Sequence, residues 1–201
     1  MIAKPLASSL QQWTAPLVLS AVTGALLLGG EGWQRALRYD RAAITAGQWW
    51  RLLSGSFVHL GFWHWLFNAL SLVLLVLLCP ERLSAAEWLR RLGILGLGMS
   101  LGLYFLAPQL ATYVGLSGVI YGLFALGLGR QAVQERDRIA MACLAFLAFR
   151  VGEELVLGTP AWEARLMGGG VVAESHLYGI ASAVVYGLVR GDLRPTGVKE
   201  A

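Results

Sequence analysis

Apolar positions in this chain come in long blocks rather than in the alternating or one-sided patterns of a soluble domain. Residues 5–30 carry no charge over 26 positions, and residues 92–129 carry none over 38. A helix crossing a bilayer needs about 20 apolar residues, so the longer block must hold two short spans. Hydropathy and breakers divide the chain into six segments at 15–30, 57–78, 92–107, 115–129, 139–157 and 171–189. Pro108 and the turn Gly115-Leu116-Ser117-Gly118 part the third from the fourth. The pattern predicts an all-α polytopic membrane protein with six transmembrane helices. Residues 1–14 form a short N-terminal segment, 15–190 the membrane domain and 191–201 a tail. Glycines inside the spans, Gly93, Gly96, Gly98, Gly102, Gly122 and Gly127 among them, let helices approach closely in lipid.

Composition agrees, with 57% hydrophobic and 14% charged residues and a mean hydropathy of +0.61. A soluble domain carries roughly 25% charge. The net charge of +4 is modest and sits in the loops, so it reads as topology and not as a nucleic-acid footprint. Six spans put both ends on one side. That side holds ten basic residues, Lys4, Arg82, Arg90, Arg91, Arg130, Arg136, Arg138, Arg190, Arg194 and Lys199. The other holds five, Arg35, Arg38, Arg41, Arg51 and Arg165, with Arg150 inside the fifth span. The positive-inside rule therefore predicts cytoplasmic termini. The N-terminus shows no cleavable signal peptide pattern. The long loop 31–56 carries Trp33, Trp49 and Trp50, which suits the membrane interface. Cys79 and Cys143 lie outside any metal-ligand spacing and read as small packing residues.

Against this apolar background the few polar groups stand out. All three histidines, His59, His64 and His176, fall in apolar segments, and Ser117 opens the fourth. An ionisable side chain in a bilayer is costly and is usually retained for a task. At about 1.5 Å per helical residue, Ser117, His176 and His64 lie about 18, 20 and 21 Å from the same membrane face. Serine is a weak nucleophile without an adjacent base, and His176 is the natural candidate. Gly115 and Gly118 allow a sharp turn and a close substrate approach. The helix start at Ser117 offers an unpaired N–H to a developing oxyanion. Tyr121, one turn on, can stack on the imidazole, and Gly179 lets the sixth span press against the fourth. His64 and Asn68, four apart, share a face and can both donate hydrogen bonds to an oxyanion. His59 lies nearer the surface and suits bracing the helix end. A packing serine and a structural histidine remain the plainer alternatives for such residues taken singly. A metal site at His59 and His64 is disfavoured by the spacing of five.

Together these residues resemble the rhomboid family of intramembrane serine proteases, from Gly47 onward. The resemblance rests on Trp50-Arg51, His59, His64, Asn68, Gly115-Leu116-Ser117-Gly118 with Tyr121, and His176 with Gly179. It implies a catalytic Ser117–His176 dyad, oxyanion side chains His64 and Asn68, and a six-helix bundle with a water-filled cavity open to the outer side. It implies no metal or organic cofactor. The stretches Tyr113–Gly118 and Glu174–Gly179 look like rhombosortases, short bacterial members that process Gly-Gly-type C-terminal sorting tails. That likeness implies the bacterial inner membrane and transmembrane substrates with small or glycine-rich residues at the outer end of the span. A general rhomboid protease, a non-cleaving binder of transmembrane clients and a transporter are the rivals. The last would show inverted repeats, and none is visible.

Arg150, Glu153 and Glu154 have three- and four-residue spacings that permit a structural ion pair on one helix face, with a substrate contact as the alternative. Glu174, two residues before His176, points elsewhere on the helix. A dyad without a carboxylate is the simpler expectation.

Overall fold

The computed structural model describes residues 6–195, with side chains from residue 11. Lys4, Lys199 and the outer parts of both predicted terminal segments lie outside the described residues. In chain order the elements are α1 (Leu6–Leu28), α2 (Gly30–Leu37), β1 (Tyr39–Asp40), α3 (Arg41–Thr45), α4 (Arg51–Ser54), α5 (Phe62–Leu78) and α6 (Ala85–Leu106). Then follow β2 (Thr112–Tyr113), α7 (Ser117–Arg130), α8 (Arg138–Leu157), α9 (Ala161–Met167) and α10 (Ala173–Arg190). Each of the six apolar segments carries one long helix. Among the described residues, Ala85–Leu106 alone is long and apolar enough to cross a membrane unaided. Two bent pairs meet that requirement jointly: Gln11–Leu28 with Gly30–Leu37, at 114°, and Arg51–Phe57 with Phe62–Leu78, at 90°.

Those bends correct the expected boundaries. The second helix starts at Phe62, not at residue 57, because Val58 is extended and the backbone through Gly61 turns before the helix begins. His59 therefore precedes the helix that carries His64 and Asn68. The third helix starts at Ala85, seven residues early, where the Ser84 hydroxyl accepts from Glu87 N–H at 3.2 Å as an N-cap. Residues 6–14, expected ahead of the bundle, include the first turns of α1. Cys79 and Cys143 are both free thiols.

The central helix is α7, in which every residue from Gly118 to Gly129 is buried except Tyr121. Its 14 residues make about 21 Å, short of a hydrocarbon core of about 30 Å. Enclosed by α5, α6, α8 and α10, it need not meet lipid along its length. The outer helices instead expose Phe105, Phe146, Phe149 and Val156 by 65–81%, an apolar surface that water would not tolerate.

Small residues set the closest crossings. A Cβ on Gly179 would collide with the Gly118 carbonyl oxygen, and one on Gly122 would lie 2.7 Å from the Gly179 oxygen. The backbones of α7 and α10 therefore touch, running parallel, with α6 antiparallel against both. Those contacts bring the first turns of α7 and α10 side by side.

Candidate active site

The approach to α7 is held from two sides. Tyr39–Asp40 pairs antiparallel with Thr112–Tyr113, and Gly115 N–H donates to the Gly55 carbonyl at 3.0 Å. Arg41 donates to the carbonyls of Leu103, Tyr104, Ala107 and Leu110 at 2.8–3.0 Å, satisfying the open end of α6 with a cation. Asp40 caps α3 through the Ala43 amide, which, together with Arg38, holds its carboxyl below the usual carboxylate range. Gly115 has φ +123°, a region that favours glycine, and a Cβ there would sit 2.7 Å from the His64 ring. The Tyr113 hydroxyl fixes the turn by donating to the Gly115 carbonyl at 2.7 Å.

Out of that turn comes Ser117, the first residue of α7. Its Oγ lies 2.9 Å from His176 Nε2, on the first turn of α10. His176 is 3% exposed, and the Tyr121 ring stacks on it with centroids 3.9 Å apart and planes 4° from parallel. Gly118 permits this proximity: a Cβ there would lie 2.7 Å from the Ser175 carbonyl oxygen and would overlap the Met99 sulfur.

Opposite the pair stands α5. His64 and Asn68 line, with Ser117 and His176, one cavity of about 170 Å³. His64 Nδ1 accepts from the Leu60 amide at 3.3 Å, which leaves the ring proton on Nε2, beside Gly115. Asn68 Nδ2 donates one hydrogen to the His64 carbonyl at 2.9 Å and retains a second. The Ser117 N–H, first in its helix, has no intrahelical acceptor. Three donors of different origin thus border one space.

On its far side His176 meets a carboxylate. Its Nδ1 lies 2.6 Å from Glu154 Oε2, and Glu154, near the end of α8, is 8% exposed. Arg150 binds the other oxygen of Glu154 at 3.2 Å and also pairs with Glu153. The expected ion pair on α8 is present, but it is not all that Glu154 does. A histidine without a carboxylate partner is not what the structure shows, and the carboxylate is Glu154, not Glu174. The reason is helix geometry. Glu174 shares a helix with His176 at a spacing that separates their directions, whereas α8 presents Glu154 across the interface. The signal in the sequence was an arginine and two glutamates in an otherwise apolar span, which by default suggests function.

The remaining predicted residues lie around this centre. The His59 ring meets His64 edge to face at 5.0 Å, and both its nitrogens are buried without hydrogen-bond partners among the described residues. Arg51 binds Gln48 at 2.7 Å and the carbonyls of Arg35 and Arg38 at 3.0 and 2.9 Å, tying the first loop together. Trp50 is 57% exposed and contributes no side chain to the cavity.

Residues 46–192 match the Rhomboid domain family model. The chain is also 30% identical over 120 residues to the Bacillus subtilis (strain 168) protein named "Putative rhomboid protease YdcA", covering 57% of this chain and 60% of that one. The chain thus spans about 60% of the length of that curated relative. The matched family region contains every residue of the cavity described above, from Leu60 to His176. A serine and a histidine joined on the first turns of two parallel, glycine-packed helices therefore sit within a match over most of the chain, and this integral membrane protein belongs to the rhomboid family.

Proposed function

We propose that the protein is an intramembrane serine endopeptidase of six spans, with Ser117 as nucleophile and His176 as base. The observation that carries this is the 2.9 Å contact between Ser117 Oγ and His176 Nε2 inside a cavity bordered by three hydrogen-bond donors. Ser117 Oγ attacks the peptide carbonyl while its proton passes to His176 Nε2. The Ser117 amide, His64 Nε2–H and Asn68 Nδ2–H stabilise the oxyanion. His176 returns the proton to the leaving amine, and water then resolves the acyl-enzyme.

Sidedness follows from charge. The ten basic residues on the side of both termini, against five opposite, support cytoplasmic termini in a bacterial inner membrane, with the cavity toward the outer face. A cavity below the surface accepts an extended peptide, since a helical one buries its carbonyls in its own hydrogen bonds. Substrates therefore carry small or helix-breaking residues at the outer end of their span, glycine above all. The rhombosortase-like stretches around Ser117 and His176 support a Gly-Gly C-terminal tail as the natural form.

The test uses purified protein in liposomes with a substrate ending in a Gly-Gly motif, one apolar span and a basic tail, read by product mass. Replacing both glycines with leucine should slow cleavage at least tenfold by keeping the segment helical. Equal rates would remove the rhombosortase-like specificity and leave a general rhomboid protease. No cleavage of any transmembrane substrate, with no labelling of Ser117 by a fluorophosphonate, would favour a non-cleaving binder of transmembrane clients.

A further inference from the structure

Glu154 is 8% exposed and joins a bonded chain running from α8 to the cavity. Arg150 Nη2 donates to Glu154 Oε1 at 3.2 Å, Glu154 Oε2 meets His176 Nδ1 at 2.6 Å, and His176 Nε2 meets Ser117 Oγ at 2.9 Å. A carboxylate has no proton to donate, so His176 Nδ1 must carry the hydrogen of that bond. Nε2 is then left with its lone pair toward Ser117, the tautomer a general base needs. Arg150, which can only donate, occupies the other carboxylate oxygen and keeps Oε2 on the imidazole.

We infer that Glu154 is a positioning residue that completes a Ser117–His176–Glu154 triad, and that Arg150 fixes its orientation. This rests on the proposed role of Ser117 and His176. In the acylation step the Ser117 Oγ–H proton moves to Nε2 as Oγ bonds to the carbonyl carbon. The Nδ1 proton stays on the ring, and Glu154 stays ionised beside the imidazolium. When the carbonyl re-forms, the proton leaves Nε2 for the departing amine nitrogen. Tyr121 on α7 and Glu163 on α9 also border this space; Tyr121 stacks on the imidazole, while the ring's hydrogen bonds go to Glu154 and Ser117.

Glu154→Gln tests the idea through the direction of its amide. Arg150 requires an acceptor, so the glutamine oxygen turns to Arg150 and the NH₂ group faces Nδ1. That places the ring proton on Nε2, where it blocks proton removal from Ser117. The expected loss in kcat is up to about 10⁴-fold, the loss that the analogous acid-to-amide change causes in a serine protease triad, with KM within about threefold. Adding Arg150→Met frees the amide to rotate and should restore at least tenfold of kcat. A purely structural ion pair would instead lose more function when its second member is removed.

The variants are compared in liposomes, with the folded fraction measured by thermal unfolding and rates expressed per folded enzyme. Unchanged kcat in Glu154→Gln would overturn the triad. A drop in kcat that Arg150→Met deepens in two folded variants would overturn the orienting role of Arg150. Ser117→Ala separates the two layers of argument. If it still cleaves, the serine-protease reading itself falls. If it is inactive while Glu154→Gln is fully active, only the triad falls.

Discussion

Two clusters of buried charge occupy opposite ends of this bundle, and they differ in what surrounds them. At the end formed by the start of α6 and the close of α7 and α10, Arg91 has 6% side-chain exposure and lies 2.5 Å from Glu81 and 3.4 Å from Glu87. Arg130 also reaches Glu81, at 3.2 Å, and the Tyr186 hydroxyl donates to Glu87 at 2.9 Å. The space beside this network is only about 20 Å³. At the other end, Glu154 gives one oxygen to Arg150 and the other to an imidazole whose far nitrogen meets a serine at a cavity of about 170 Å³. Buried charge alone thus does not mark a reaction centre. The distinguishing features are a serine hydroxyl at the end of the bonded chain and a cavity beside it.

The largest expected effect breaks the comparison at the nucleophile. Ser117→Ala and His176→Ala should each reduce cleavage in liposomes by more than about 10³-fold, and the double variant should lose little more, because the two act as one unit. Ser117→Ala removes one hydroxyl and should unfold like the native protein, whereas His176→Ala opens a space beside Tyr121 and takes the partner from Glu154 Oε2, so both rates are expressed per folded enzyme. Normal processing by either variant would leave the cavity end as inert as its counterpart.

How much of this was legible beforehand follows from which contacts are local. Ser117 stood out because a Gly-Leu-Ser-Gly turn opens an apolar run, and His176 because one histidine interrupts another. The Tyr121–His176 contact was reachable from depth and helical spacing alone. The bond to Glu154 was not, since it joins residues 22 apart through the rotation of α8 about its axis, which one-dimensional spacing does not specify. Only the pairing of Arg150 with its i+3 and i+4 neighbours could be seen. The cap that Arg41 places on α6 reaches more than 60 residues along the chain and leaves no local pattern. His59 was assigned to a helix because hydropathy is blind to the backbone turn before Phe62. Breakers locate a change of direction less sharply than they locate its existence.

A smaller effect sharpens the contrast by testing the donors and not the base. Asn68→Ala should lower kcat about 10²-fold, as loss of a single oxyanion donor does, with KM little changed. His64→Ala should fall in the same range, because Nε2–H is the only hydrogen its ring can offer to the cavity. A loss of affinity with kcat preserved would make both residues substrate contacts. Steady-state kinetics on one peptide-linked transmembrane substrate separates these outcomes.

The smallest effect on activity should come from the opposite cluster, where Arg91→Met removes a cation with 6% side-chain exposure. Glu81 would retain Arg130, and Glu87 would retain Arg90 and Tyr186, so neither carboxylate would be stranded. Breaking a buried pair outright costs about 3–5 kcal/mol, and with these partners remaining the loss should be nearer 1–3 kcal/mol. Thermal unfolding in detergent should show that loss as a lowered Tm, while kcat per folded enzyme stays within about twofold of native. The two measurements have to be made on the same preparation, because a reduced folded fraction alone would imitate a catalytic defect. A large drop in kcat without loss of stability would mean that the charged network at this end is coupled to Ser117 along α7. The division of the molecule into a holding end and a reacting end would then have to be given up.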